Sequence, residues 1–285
     1  MLKLQNKIPS ALTIGGKDVE RIKMRNEVVW EKVQPEYFYI ENTYAGTNII
    51  SLKDNKEVLE QFSVLQYSKD KDSWTTFTTS TTALDISLNQ GEKLYIRGDA
   101  NLGYVRFQIS GSKSHNVGGN INTLINYNDP NNVVLSSTAF AYLFDNDTKL
   151  TSASNLILPA TTLAIACYTS MFRGCTSLIS APTELSATTL AQTCYQFMFQ
   201  GCTSLTTAPT LSATTLAKDC YRYMFLDCNS LNSITVYADD ISASGCTDNW
   251  LSGVASTGTF RNLGSATYEK DSPSGIPTGW TEVKN

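Results

Sequence analysis

The sequence predicts a mainly β protein with three parts: a small N-terminal hairpin unit, an antiparallel β-sandwich and a short solenoid. Three observations support this prediction. A unit of 26 or 27 residues repeats in the C-terminal half, and short alternating segments separated by turns fill residues 35–116. Threonine and tyrosine, which suit half-buried pleated surfaces, are frequent. We place the domains at residues 1–34, 35–116 and 117–253, with a C-terminal cap at 254–285.

Residues 1–34 form the first predicted unit, a short basic segment with hairpin signals. Leu12 and Ile14 alternate with polar residues before a Gly-Gly turn, and a second turn precedes an apolar stretch at 28–30. A unit of this size buries little core of its own. Such a unit packs either on the next domain or on a partner. We expect it to dock on another protein, through the residues Val28, Val29, Trp30, Lys17 and Arg21.

Residues 35–116 contain seven strand candidates, at 37–40, 48–52, 63–67, 74–78, 84–88, 93–97 and 104–109. Turn residues separate the candidates at regular spacing. Six or seven short strands in this arrangement predict an antiparallel β-sandwich of the immunoglobulin-like kind.

The repeat at residues 158–236 is the strongest signal in the chain. Its three coils are 158–184, 185–210 and 211–236; the first two agree at 18 of 26 aligned positions and the last two at 14. One coil cannot bury its own apolar residues, so neighbouring coils must stack. We expect one strand and one short helical turn per coil, degenerate coils on either side, and a single buried column formed by Phe172, Phe199 and Phe225.

The segment from Met198 to Leu205, Met-Phe-Gln-Gly-Cys-Thr-Ser-Leu, resembles the core of the BspA-like leucine-rich repeat. With the adjoining Ala-Pro-Thr-Leu-Ser-Ala-Thr-Thr-Leu-Ala, it is similar to repeats of surface proteins from Bacteroides-type gut bacteria and their tailed, crAss-like phages. The resemblance covers about residues 118–280. It implies a leucine-rich-repeat-like solenoid with a role in attachment and no catalytic residues. Residues 14–31 also resemble the opening of many phage structural proteins, which implies a virion protein.

The seven cysteines fall into two columns of the repeat, Cys167, Cys194, Cys220 and Cys246 in one, and Cys175, Cys202 and Cys228 in the other. We expect buried, reduced thiols, which behave as small hydrophobic residues. Stacked cysteines with Cα atoms about 5 Å apart also satisfy the geometry of a disulfide. A metal site is the third alternative, although metal ligands are usually more closely clustered.

Three other segments carry residue types that are common in functional sites. We expect His115 to be a solvated residue in an interdomain loop. Arg97-Gly98-Asp99 matches an adhesion tripeptide, but glycine and aspartate are ordinary turn residues, so we expect a turn there. Asp145-Asn146-Asp147 is expected to be a turn, with calcium binding as the alternative. The sequence therefore predicts no catalytic residue, no metal and no cofactor.

Threonine pairs recur at fixed positions of the repeat. Their ordinary explanation is strand propensity with solvent exposure. The functional alternative is a weakly charged surface that binds a host-surface glycan or protein, formed by Thr188, Thr189, Thr206, Thr207, Thr214 and Thr215.

The composition narrows the class of protein further. The net charge of −4 and the 17% of charged residues do not suggest nucleic-acid binding. The sequence contains no apolar run of about 18 residues, which membrane insertion would require. Its first ten residues lack a signal-peptide pattern. We expect a virion protein made in the host cytoplasm, homo-oligomeric and joined to other virion proteins through residues 1–34. The alternatives are a bacterial surface adhesin and an enzyme with an accessory solenoid.

Overall fold

The computed structural model describes residues 36–53, 62–77, 83–100, 105 and 108–284, together with the backbone of four short strands between residues 12 and 31. Two compact units divide the chain, Met1–Glu36 and Tyr37–Asn285. Strands dominate the described residues, and the helical segments among them are the 3₁₀ turns Ile121–Leu124 and Pro130–Asn132. The prediction of a mainly β protein is confirmed.

The first unit contains two antiparallel hairpins, in which β1 pairs with β2 and β3 pairs with β4. The predicted hairpins are confirmed at the level of the backbone. The strands are β1 (Leu12–Ile14), β2 (Lys17–Val19), β3 (Arg21–Met24) and β4 (Glu27–Glu31).

The first part of the second unit forms two sheets whose buried side chains join one hydrophobic cluster. The larger sheet has the order β13-β12-β5-β10-β7-β8, and the smaller has the order β11-β6-β9. Apolar residues alternate with polar ones, so that Leu94 and Ile96 of β10 point into the cluster. The strands are β5 (Phe38–Asn42), β6 (Asn48–Lys53), β7 (Phe62–Ser68), β8 (Thr75–Thr76), β9 (Ala83–Leu88), β10 (Lys93–Ala100), β11 (Gln108–Gly111) and β12 (His115–Asn120).

Strand β12 was not predicted, because its two adjacent glycines and its polar residues are typical of a loop. In the structure it pairs antiparallel with β5 on one side and parallel with β13 on the other. The domain boundary that we placed after residue 116 falls inside this strand.

The C-terminal part is a β-solenoid of about four turns, with its strands parallel. Single bridge pairs join Ser152 to Ser180, Ser180 to Thr207 and Thr207 to Ser233. Because β13 also pairs with β12, one hydrogen-bonded sheet continues from the first strands of the second unit to the end of the solenoid. Its strands are β13 (Leu150–Ile157), β14 (Glu184–Leu185), β15 (Thr210–Leu211), β16 (Ser233–Val236), β17 (Gly258–Asn262) and β18 (Trp280–Lys284).

The helical turn predicted for each coil is wrong, since this segment is a series of overlapping β-turns. Every fourth residue has positive φ, as at Ala166, Ser170 and Gly174. Backbone N–H groups donate alternately within the coil and to the next coil: Thr169 N–H bonds to the carbonyl of Ala166, and Tyr168 N–H bonds to that of Cys194. An α-helix would direct these donors within the coil and leave none for stacking. We call residues 164–175, 191–202, 217–228 and 243–253 the turn ribbons.

Two aromatic columns fill the solenoid core. Phe172, Phe199 and Phe225 are fully buried and stacked with centroids 5.3 and 5.5 Å apart, so the predicted column is confirmed. A second column contains Tyr168, Tyr195 and Tyr221. Equal spacing in the repeat places identical rings one above another, as stacking of coils requires.

Candidate binding surface

The predicted docking residues lie on the hairpins of the first unit. Lys17 is in β2, Arg21 in β3, and Val28, Val29 and Trp30 in β4, where Trp30 pairs with Ile22. Their side chains are outside the described part of the chain, so docking through them stays a prediction.

The six threonines predicted to form a binding surface are all exposed. Thr189 pairs with Thr162, and Thr215 pairs with Asp240, so the threonine pairs of successive coils follow one edge of the solenoid. Thr207 lies in a different column, on the parallel sheet. Binding by these residues stays a prediction.

The column that contains Thr207 is longer than the repeat alone indicated. Each residue in it is paired with the next across the sheet, and the order is Lys93, Glu41, Asn116, Ser152, Ser180, Thr207, Ser233, Thr259 and Thr281. We call these residues the polar column. Hydroxyl groups occupy its whole solenoid part, and none of its members is buried. The spacing from Ser180 to Thr259 in the sequence could have indicated the hydroxyl part, but not its continuation to Lys93.

Aromatic and cationic side chains lie beside the first residues of the polar column. The rings of Tyr39 and Tyr95 are 6.0 Å apart, and the Lys93 ammonium lies 4.0 Å from the centre of the Tyr39 ring. A Cβ atom at Gly118 would come within 2.4 Å of the Tyr39 hydroxyl, so the absence of a side chain there makes room for this ring. These contacts hold the rings and the cation on one face of the sheet.

Arg97 belongs to the same face, which corrects our assignment of Arg97-Gly98-Asp99 to a turn. All three residues lie within β10, and Gly98 is buried. The Arg97 guanidinium lies 3.9 Å from the ring of Trp74 and 4.6 Å from that of Tyr127, and two of its nitrogens donate to Gln66. A guanidinium held in this way is part of the face's structure.

Negative charge lies at the C-terminal end of the threonine edge. The hydroxyl and then the N–H of Ser265 donate to Asp239 and lower the pKa of this carboxyl group. The N–H of Ser242 donates to Asp240 and lowers its pKa in the same way. Both carboxylates are therefore ionised at neutral pH, while the threonines before them are neutral.

His115 is buried, which overturns the expectation of a solvated loop residue. Its Nε2 lies 2.9 Å from Oδ2 of Asp147, also buried, although the N–H does not align with this oxygen as a hydrogen bond requires. Its Nδ1 lies 3.0 Å from the carbonyl oxygen of Lys113, and the other oxygen of Asp147 accepts from the N–H of Lys149. The pair joins β12 to the turn that precedes β13 and is closed to solvent.

The predicted turn at 145–147 is confirmed. Its first carboxylate, Asp145, forms a double hydrogen bond with Arg173 at 2.7 and 2.8 Å. Asp145 is thus paired with the Arg173 guanidinium, and Asp147 lies beside the His115 imidazole. Among the residues that the structure describes, no cluster of three or more histidine, cysteine or acidic side chains is suited to holding a metal ion.

The seven cysteines are free and buried, as predicted for reduced thiols. The Cys202 thiol donates to the carbonyl of Phe172 at 3.1 Å, and the Cys228 thiol donates to that of Phe199 at 3.0 Å. Burial raises the pKa of Cys202 well above its ordinary value. Since the thiolate is the reactive form, burial disfavours reaction at these thiols, and their hydrogen bonds join neighbouring coils.

Comparison with known proteins gives no further assignment: no protein-family model, curated protein or solved structure matches the chain. Within the described ranges, no helix has the length and apolar character needed to cross a membrane.

Proposed function

We propose that the chain is a non-enzymatic attachment protein of a virion, namely a head fibre, tail fibre or decoration protein. Its N-terminal hairpins dock on other virion proteins, and its solenoid contacts a glycan or protein on the host surface. The protein is made in the host cytoplasm and forms homo-oligomers. We further propose that the solenoid is of the BspA-like leucine-rich-repeat type and that β5 to β12 form an immunoglobulin-like sandwich.

The polar column is the observation that carries this proposal. Its residues lie on a single sheet whose strands are joined by backbone hydrogen bonds from β10 to β18. A rigid surface loses little entropy on binding, and hydroxyl groups both donate and accept hydrogen bonds. Such a surface suits repeated polar contacts with a partner.

The separation of the chain into two units supports the division of roles. The hairpins of Met1–Glu36 form a unit apart from Tyr37–Asn285. Two small hairpins gain stability from packing on further structure. A neighbouring virion subunit would supply it, which makes this unit the proposed anchor.

Deletion of residues 1–34 tests the proposal in particles produced with the truncated chain. We expect the truncated protein to be soluble, with a β-type circular dichroism spectrum, and to be missing from purified particles. The exposed substitution Thr206→Ala is the matched control and should leave incorporation unchanged. Normal incorporation of the truncated protein would contradict virion docking. Recovery of the full chain from bacterial envelopes instead of particles would favour the surface adhesin.

A further inference from the structure

The last turn ribbon of the solenoid differs from the others in its hydrogen bonds. In the preceding ribbon, N–H groups of alternate residues donate to carbonyl groups of the following coil, as Tyr221 does to Cys246 and Phe225 to Trp250. The equivalent donors of residues 243–253 point beyond the last coil. Among the described residues, the cap segment is the part of the chain that follows there and can supply acceptors.

The cap supplies one acceptor to this row. The N–H of Asn249 donates to the carbonyl of Pro273 at 2.7 Å. Four other N–H groups of the row have no backbone acceptor among the described residues, namely those of Gly245, Thr247, Leu251 and Gly253. Thr247 and Leu251 are buried residues. Backbone N–H groups need a hydrogen-bond partner, so the donors of this row that have none in the backbone are available to water or to a ligand.

Two grooves, both lined by Ser272, include residues of this row in their walls. The first has a volume of about 400 Å³ and is lined by residues 241–248 and by parts of the cap, including Glu269 and Ser274. The second has a volume of about 300 Å³ and is lined by residues that include Leu251. The first volume lies in the range of about 300–1,000 Å³ found for small-molecule sites.

The first groove also offers hydrogen-bond acceptors. Oδ1 of Asp248 accepts from the hydroxyl of Ser274 at 2.7 Å, and the carboxylate of Glu269 is exposed. Residues of the N–H row and two carboxylate-bearing residues thus line the same space. A ligand that fits both must accept and donate hydrogen bonds over a short distance.

We propose that this groove binds one ring of a neutral sugar at the end of a surface glycan. Vicinal hydroxyl groups accept from the N–H groups of Gly245 and Thr247 and donate to the carboxylates of Asp248 and Glu269. An anionic ligand would be repelled by those carboxylates. An extended peptide could not pair with the whole row, because the bond from Asn249 to the cap divides it. This inference rests on the proposed role in host-surface attachment and assigns that role to one site.

Amide NMR of the full chain, with glucose, galactose, mannose and N-acetylglucosamine added separately, tests the site directly. At least one sugar should shift the amide signals of Gly245 and Thr247 in a saturable manner and slow their exchange with water. Thr267→Trp places a large side chain in the groove and should weaken binding by about tenfold or more. Thr257→Trp, also at an exposed position and outside the groove, is the matched control.

Asp248→Asn combined with Glu269→Gln keeps the shape of the groove and removes its charge, and should also weaken binding about tenfold. Binding of none of the sugars, unchanged binding by Thr267→Trp, or binding of acidic sugars or peptides in place of neutral sugars would each overturn the inference. Adsorption of particles that carry Thr267→Trp distinguishes failure of the sugar site from failure of the proposed attachment function. If they adsorb normally while particles lacking the protein do not, attachment stands and the groove is excluded.

Discussion

Replacement of Phe199 by alanine tests the stacked core of the solenoid. Phe199 is fully buried between Phe172 and Phe225, with interplanar angles of 4° and 3°. Loss of a buried phenyl group with partial collapse of the cavity costs about 3–5 kcal/mol. Since domains are stable by about 5–15 kcal/mol, this change should lower the unfolding midpoint strongly.

Phe199→Leu separates ring stacking from apolar volume. Leucine keeps much of the volume and loses two stacked pairs, each worth about 0.5–1.5 kcal/mol, so we expect a cost of about 1–3 kcal/mol. Urea unfolding followed by circular dichroism measures both variants, and exposed Thr206→Ala should stay within about 0.5 kcal/mol of the parent. Equal costs for the leucine and alanine variants, or a cost below about 1 kcal/mol for alanine, would refute the stacked column.

Three further predictions concern buried groups and backbone geometry. Burial raises the pKa of three thiols from 9.0 to about 12, those of Cys167, Cys220 and Cys228. Because these thiols stay protonated to higher pH in the folded state than in the unfolded state, the stability that they contribute is complete below about pH 9. Above this pH the free energy of unfolding falls by about 1.4 kcal/mol per pH unit for each thiol. A urea midpoint that stays constant from pH 8 to 11 would contradict this.

His115→Ala leaves the Asp147 carboxylate buried without its partner and should cost about 3–5 kcal/mol, with a double-mutant cycle showing strong coupling. Gly174→Ala should destabilise more than Gly201→Ala in thermal unfolding. Both glycines have positive φ, but only at Gly174 would the new Cβ atom lie 2.4 Å from a side-chain oxygen of Asn146.

The continuous sheet limits how the solenoid can move relative to the first sheets of the second unit. Strand β12 pairs with β5 and β13 at once, and the buried pair of His115 and Asp147 lies at the same place. Backbone hydrogen bonds and a buried ionisable pair leave little freedom between the first sheets and the solenoid. The orientation of the polar column relative to β5 is therefore set by the fold.

The repeat by itself determined much of the solenoid. Residues at equal positions of stacked coils must lie in the same column, which is why the stacking of Phe199, the burial of Cys202 and the exposure of Thr189 could be predicted. Alternation of apolar and polar residues likewise located most strands of the first sheets. These features depend on local pattern and on translation along one axis, and both are visible in the sequence.

Only the tertiary structure decided which distant residues meet. The pairing of Lys93 with Glu41 and the meeting of His115 with Asp147 join segments that no repeat relates. A turn ribbon is found in place of the predicted helical turn because alternate N–H groups donate to the next coil. These hydrogen bonds exist only when the coils are stacked. For the same reason, the sequence could not indicate the N–H groups near Thr247 that have no backbone acceptor. Whether a donor has a partner depends on which residues lie next to it in space.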